Sequence, residues 1–130
     1  MRSRLWLLLP TAALTAADVG LTLHGQPSAF WAGDTASAVE ANPIAYPLLA
    51  RGPAAFVAGA ALWLVVLSAV VVMWRHPLAR WLAVGVALAH AFGGACWLAR
   101  IGPGGLVAAV GYLAAAAQAS AWCWRRHAES

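Results

Sequence analysis

Residues 54–73 read AAFVAGAALWLVVLSAVVVM, without a single charge and with Ser68 as the sole hydroxyl. Coiled as a helix at about 1.5 Å per residue, the run is roughly 30 Å long, which matches the hydrocarbon core of a bilayer. Arg51-Gly52-Pro53 precedes it and Trp74-Arg75-His76-Pro77 follows it. Gly and Pro punctuate helices, and Arg and Trp suit a membrane interface. The reading is a membrane-spanning helix, and it decides how the rest of the chain is read.

Working outward, three more stretches have the same character. Residues 5–23 follow Arg2 and Arg4 and are interrupted by Pro10, a few Thr and Asp18. Residues 81–98 carry His90 and Cys96, and residues 105–124 carry Tyr112 and Gln118. Expected spans are therefore about 5–24, 54–74, 79–99 and 104–124, in one membrane domain covering 1–130. The expected fold is all-α: an integral membrane four-helix bundle. A connection at 25–53, holding a short helical or re-entrant segment, joins spans 1 and 2. Pro10 is expected in the second turn of its helix, where a missing N–H costs little. A basic start, an apolar centre and Leu14-Thr15-Ala16-Ala17 also fit a signal peptide cut after about residue 17. The uncleaved first span is the reading carried here.

Composition agrees. Hydrophobic residues make up 63% and charged residues 9%, against about 25% charged in soluble domains. The net charge of +4 comes from eight Arg and no Lys. These stand singly or in pairs at the ends of apolar runs, which disfavours a nucleic-acid partner and favours membrane topology. With the N-terminus in the cytoplasm, Arg2, Arg4, Arg75, Arg80, Arg125 and Arg126 lie inside, and Arg51 and Arg100 outside. That bias puts both termini in the cytoplasm of a multi-pass inner (cytoplasmic) membrane protein, with the 25–53 connection outside. Trp6, Trp31, Trp74, Trp81, Trp97, Trp122 and Trp124 fall near the expected boundaries, and Trp63 lies nearer mid-span. Cys96 and Cys123 sit in apolar runs with no CxxC or Cys/His spacing and read as small buried hydrophobes.

The connection is the most polar part of the chain. His24-Gly25-Gln26-Pro27 ends the first helix, and Phe30 and Trp31 read as interfacial aromatics. Asp34 reads as the N-cap of a short helix ending near Ala41. Asn42 and Pro43 read as N-cap and first residue of a second, which Pro47 bends or ends.

Ionisable groups inside spans are costly, about 2.5–3.5 kcal/mol near the centre, and so need partners. Asp18 lies two-thirds along the first span and His90 just past the middle of the third, which runs the same way. Glu40 belongs to the connection returning to that side. Thr15 and Thr22 share the Asp18 face, and Gly93 and Gly94 leave space beside His90, with Gly94 on its face. The expected site is a pocket of Asp18, Glu40, Asn42 and His90 that holds a divalent cation such as zinc, or a proton. Pro43 shapes its loop, and Arg51 and Arg100 are structural pairing candidates for its carboxylates. The competing reading gives each residue a separate structural partner, with Gln118 or a carbonyl for His90. A metal-activated water would make an intramembrane hydrolase, without HExxH or similar spacing to support it. GxSxG, a phosphate-cradling Gly loop and CxxCH are absent, and His24 with His90 is weak evidence for haem. Whether the chain is an enzyme stays open.

A second candidate surface is the stripe Gly104, Ala108, Gly111, Ala115 and Gln118, which allows close helix approach. Packing inside the monomer is the first reading. The other is docking to a membrane partner or a second copy, as in an accessory or scaffold subunit.

The quoted residues resemble a family of small, uncharacterised prokaryotic multi-span membrane proteins, a domain of unknown function. The likeness rests on Asp18-Val19-Gly20-Leu21-Thr22, Glu40-Ala41-Asn42-Pro43 and Gly52-Pro53-Ala54-Ala55-Phe56, over about the first half of the chain. Members often carry a Lys in the second span, which this chain lacks. The resemblance implies a compact multi-span protein whose Asp and Glu-x-Asn-Pro act together, and it implies no known activity.

Overall fold

The computed structural model describes residues 2–74 and 76–129, with Arg2 and Ser3 described by their backbone alone. Arg75, counted above in the charge bias, lies outside the described residues. Four long helices carry the chain: α1 (Arg2–His24), α4 (Pro53–Met73), α5 (Leu78–Leu98) and α6 (Gly105–Ala128). Two single-turn helices, α2 (Ser28–Trp31) and α3 (Tyr46–Leu49), lie in the connection with a 3-10 turn at Thr35–Ser37. No strand occurs among the described residues. All four long helices are long and apolar enough to cross a membrane, and together they form the expected bundle.

Three buried layers show how the helices run. At one end Leu7 and Leu8 of α1 meet Leu67 and Val71 near the end of α4, Ala83 near the start of α5, and Trp124 near the end of α6. Consecutive spans therefore alternate in direction. In the middle Leu14 meets Ala87, Ala91, Tyr112 and Ala116. At the other end Phe30 and Leu49 from the connection close over Phe56 of α4 and Val19 and Leu23 of α1. We call this last the connection end, and the opposite one the terminal end.

The tightest seam joins α1 to α5. Its cause is a row of small residues on α5, where Ala79, Ala83, Ala87, Ala91 and Ala95 recur every fourth position and are all buried. Side chains four apart form one ridge of a helix, and alanine lets the neighbouring backbone approach. Hydrogen bonds add to it: the buried Thr11 hydroxyl lies 3.1 Å from its own-turn Leu7 carbonyl and 3.1 Å from the Ala83 carbonyl of α5. At the terminal end Arg4 donates to the carbonyls of Val71 and Trp74, closing the open end of α4.

Several local expectations are corrected. Helix α1 begins at Arg2, so Pro10 is interior to it rather than in its second turn. The helix expected from Asp34 to Ala41 is one 3-10 turn, and Asp34 makes no side-chain cap. Phe30 is no interfacial anchor: it is 2% exposed and fills the connection-end core, while Trp31 beside it is exposed. Asn42 and Pro43 do not open α3. A turn intervenes, and Pro47 stands in the first turn of α3, where its fixed φ helps rather than hinders. Gly52 then reverses the chain into α4 with φ +113°, a conformation that side-chain-bearing residues avoid.

The Gly104, Ala108, Gly111, Ala115 and Gln118 stripe is exposed, so it is not an internal packing face. The face of α6 that packs is one position on, at Gly105, Ala109, Ala116 and Cys123 with Tyr112. Small residues crowd α6 on nearly every side, so their spacing did not single out the buried face. Cys123 is buried as expected, but Cys96 is exposed.

Candidate functional site

Asp18 and His90 meet. His90 Nδ1 lies 2.8 Å from Asp18 Oδ2, with side chains 22% and 19% exposed respectively. An ionised carboxylate can only accept, so Nδ1 carries the shared hydrogen and donates it. This fixes the imidazole tautomer. In the neutral ring Nε2 is then the basic nitrogen, able to take a second proton.

Glycine makes the meeting possible. A Cβ at Gly93 would stand 2.7 Å from Asp18 Oδ1, and one at Gly94 would stand 2.9 Å from the Tyr112 hydroxyl. The space beside His90 is therefore taken up by a carboxylate from α1 and a phenol from α6. Tyr112 was read above only as a polar residue within its span. Its position opposite Gly94 was the signal, and it needed the α5–α6 pairing to be read. The Tyr112 hydroxyl and the Thr15 hydroxyl, one turn before Asp18, are buried without a hydrogen-bond partner among the described residues. Three spans thus contribute polar atoms to one layer of the bundle.

Glu40 and Asn42 are occupied elsewhere. Glu40 Oε1 accepts the Asn42 backbone N–H at 2.7 Å, and Asn42 Oδ1 accepts the Ile44 N–H at 2.9 Å. Both are local bonds that shape the turn around Pro43. The loop is held by Gln26, which sequence reading passed over. The Gln26 amide donates to the Val39 carbonyl at 2.9 Å and accepts from the Val39 N–H at 2.8 Å, as a neighbouring strand would. It also donates to the Thr22 carbonyl at 2.8 Å. Gln26 stands just past the end of α1 at His24, and Ala38 and Ala45 of the loop pack against the same core as Val19 and Leu23 of α1.

Glu40 and Asn42 thus bond within the connection, whereas Asp18 and His90 bond to each other. Among the described residues no group of three or more His, Cys, Asp or Glu side chains is placed to hold a metal. Asp18 pairs with His90 rather than with Arg51 or Arg100, and His90 with Asp18 rather than with Gln118. Arg100 stacks over the Trp97 ring, its guanidinium carbon 5.0 Å from the centroid. His24, Trp97 and Arg100 line a cleft of about 440 Å³ at the connection end.

No family model, curated protein or solved structure matches the chain.

Proposed function

We propose that the protein is a small multi-pass membrane protein whose working group is the Asp18–His90 pair, which takes up and releases a proton within the bundle. The observation that carries this reading is the 2.8 Å hydrogen bond between two spans. A histidine oriented through Nδ1 by a carboxylate presents a defined base at Nε2, and histidine is the side chain suited to exchange near neutral pH. The polar groups sharing its layer are the Asp18 carboxylate on α1 and the Tyr112 hydroxyl on α6. The arginine bias adds that the connection end faces outward, so the proton would enter from that side. The resemblance in Asp18 and the Glu40-Ala41-Asn42-Pro43 turn fits a shared site only through the shape of the loop, since Glu40 bonds within its own turn.

The test is proton uptake by purified protein, followed by potentiometric titration. Wild type should take up about one proton per chain more than His90→Gln. Equal uptake by the two would remove the reading. Nitrogen NMR of the ring should show the Nδ1–H tautomer in wild type and a mixture in Asp18→Asn.

A second reading, a subunit of a larger membrane complex, is favoured by one observation. Gly111, Ala115 and Gln118 leave α6 facing outward together, and an amide facing lipid gains from a hydrogen-bonding partner. Cross-linking from a cysteine placed at Ala115 would capture that neighbour, and its absence would leave α6 facing lipid.

A further inference from the structure

The connection-end cleft has the chemistry of a phosphate site, and we propose that it holds the headgroup phosphate of an anionic phospholipid. This stands independently of the Asp18–His90 reading. The cleft is about 440 Å³, within the roughly 300–1,000 Å³ of small-molecule sites. Its polar lining is Arg100 and His24, and no Asp or Glu lines it. Among the described residues Arg100 makes no ion pair. Its guanidinium is held instead against the Trp97 face, which restricts the side chain without neutralising it. An oriented guanidinium with open N–H donors is the side chain best matched to phosphate oxygens.

The remaining wall is apolar: Leu21, Val39, Trp97 and Ile101. A free inorganic anion gains nothing from that wall, whereas the glycerol and upper acyl segment of a lipid would lie along it. The depth also fits. Helix α5 ends at Leu98, and Arg100 stands in the turn that follows, where a span leaves the hydrocarbon and lipid phosphates lie. Gly25 shapes the cleft from the other side. A Cβ there would run into the Trp97 ring, so glycine lets the indole lie against the end of α1. Gln26 in turn fixes Val39 as the rim.

The test uses the full chain in a neutral detergent, titrated with phosphatidylglycerol and followed by native mass spectrometry. One lipid should bind with saturation. Arg100→Gln should weaken it about tenfold, the scale of one lost charge-assisted contact. Arg51→Gln removes an exposed arginine on the same end and should leave affinity within about twofold. Equal losses in the two variants would reduce the effect to general surface charge and overturn the site. Ile101→Asp, an exposed position on the cleft wall, tests the same prediction without touching Arg100. It should also weaken binding about tenfold by repulsion, and unchanged binding there would overturn the site. Millimolar inorganic phosphate should not displace the lipid. If it does, the occupant is a free anion and the lipid assignment is wrong; if phosphatidylcholine binds as tightly as phosphatidylglycerol, the anionic-lipid assignment is wrong.

Discussion

The carboxylate of Asp18 occupies the space where residue 93 would carry its side chain, 2.7 Å from the position a Cβ would take at Gly93. The pair with His90 therefore depends on a missing atom one turn along α5 from the imidazole. Gly93→Ala should push the carboxylate off Nδ1. Overpacking of this kind costs about 1–3 kcal/mol, to be read as a lower Tm in detergent. The ring tautomer should also become mixed, as in Asp18→Asn. A Tm within a degree of wild type with the tautomer intact would mean that α1 and α5 can separate at no cost, against the packed seam described above.

Removing either partner of the pair should cost more than removing both. A histidine or carboxylate left alone in the bundle loses a charge-assisted bond worth about 1.5–3 kcal/mol and keeps its desolvation penalty. A double-mutant cycle with Asp18→Asn and His90→Gln should thus show a coupling of about 1–3 kcal/mol. Additive losses, measured by reversible unfolding in mixed micelles, would mean that the two groups are satisfied separately.

The spans were legible because each is a long run whose hydrophobicity leaves no alternative; residues 54–73 admit no soluble reading. The depth match of Asp18 with His90 was legible too, since helical rise converts residue counts into distance. The placement of Glu40 was not. Sequence put it in the connection between the first two spans but carried no information on the local bond to the Asn42 N–H, and short loops are decided by such bonds. Gln26 was missed because a glutamine after a helix end looks like any interfacial polar group. Its role exists only once Val39 lies beside it. The buried face of α6 was not legible for another reason: with Gly or Ala at so many positions, spacing alone cannot say which face turns inward.

Chelation should leave the fold untouched. With no three-donor group among the described residues, EDTA should not lower the Tm, and added zinc should not raise it. Binding at a thousand times Kd would add about 4 kcal/mol to stability, so even a modest site would be visible. A zinc-dependent rise that Asp18→Asn and His90→Gln both abolish would restore the metal site and require a third ligand from the connection.

Gln26 should control the connection without controlling the bundle. Its amide makes three hydrogen bonds, two to Val39 and one to Thr22, and is 7% exposed. Gln26→Ala leaves the Val39 N–H and carbonyl without that partner, at a cost of about 1–3 kcal/mol. The cost falls on residues between Gly33 and Ala45, which the four spans do not need in order to pack. The Val39 amide should therefore exchange with deuterium about ten- to a hundredfold faster, while amides in α5 keep their protection. Gln26→Glu should behave worse than its shape implies. The carboxylate can still accept from Val39 N–H, but its second oxygen would face the Val39 and Thr22 carbonyls that the amide nitrogen now serves. If both variants slow or leave unchanged exchange at Val39, the loop is held by Phe30 and Leu49 in the core beneath it, and the Gln26 bonds are incidental.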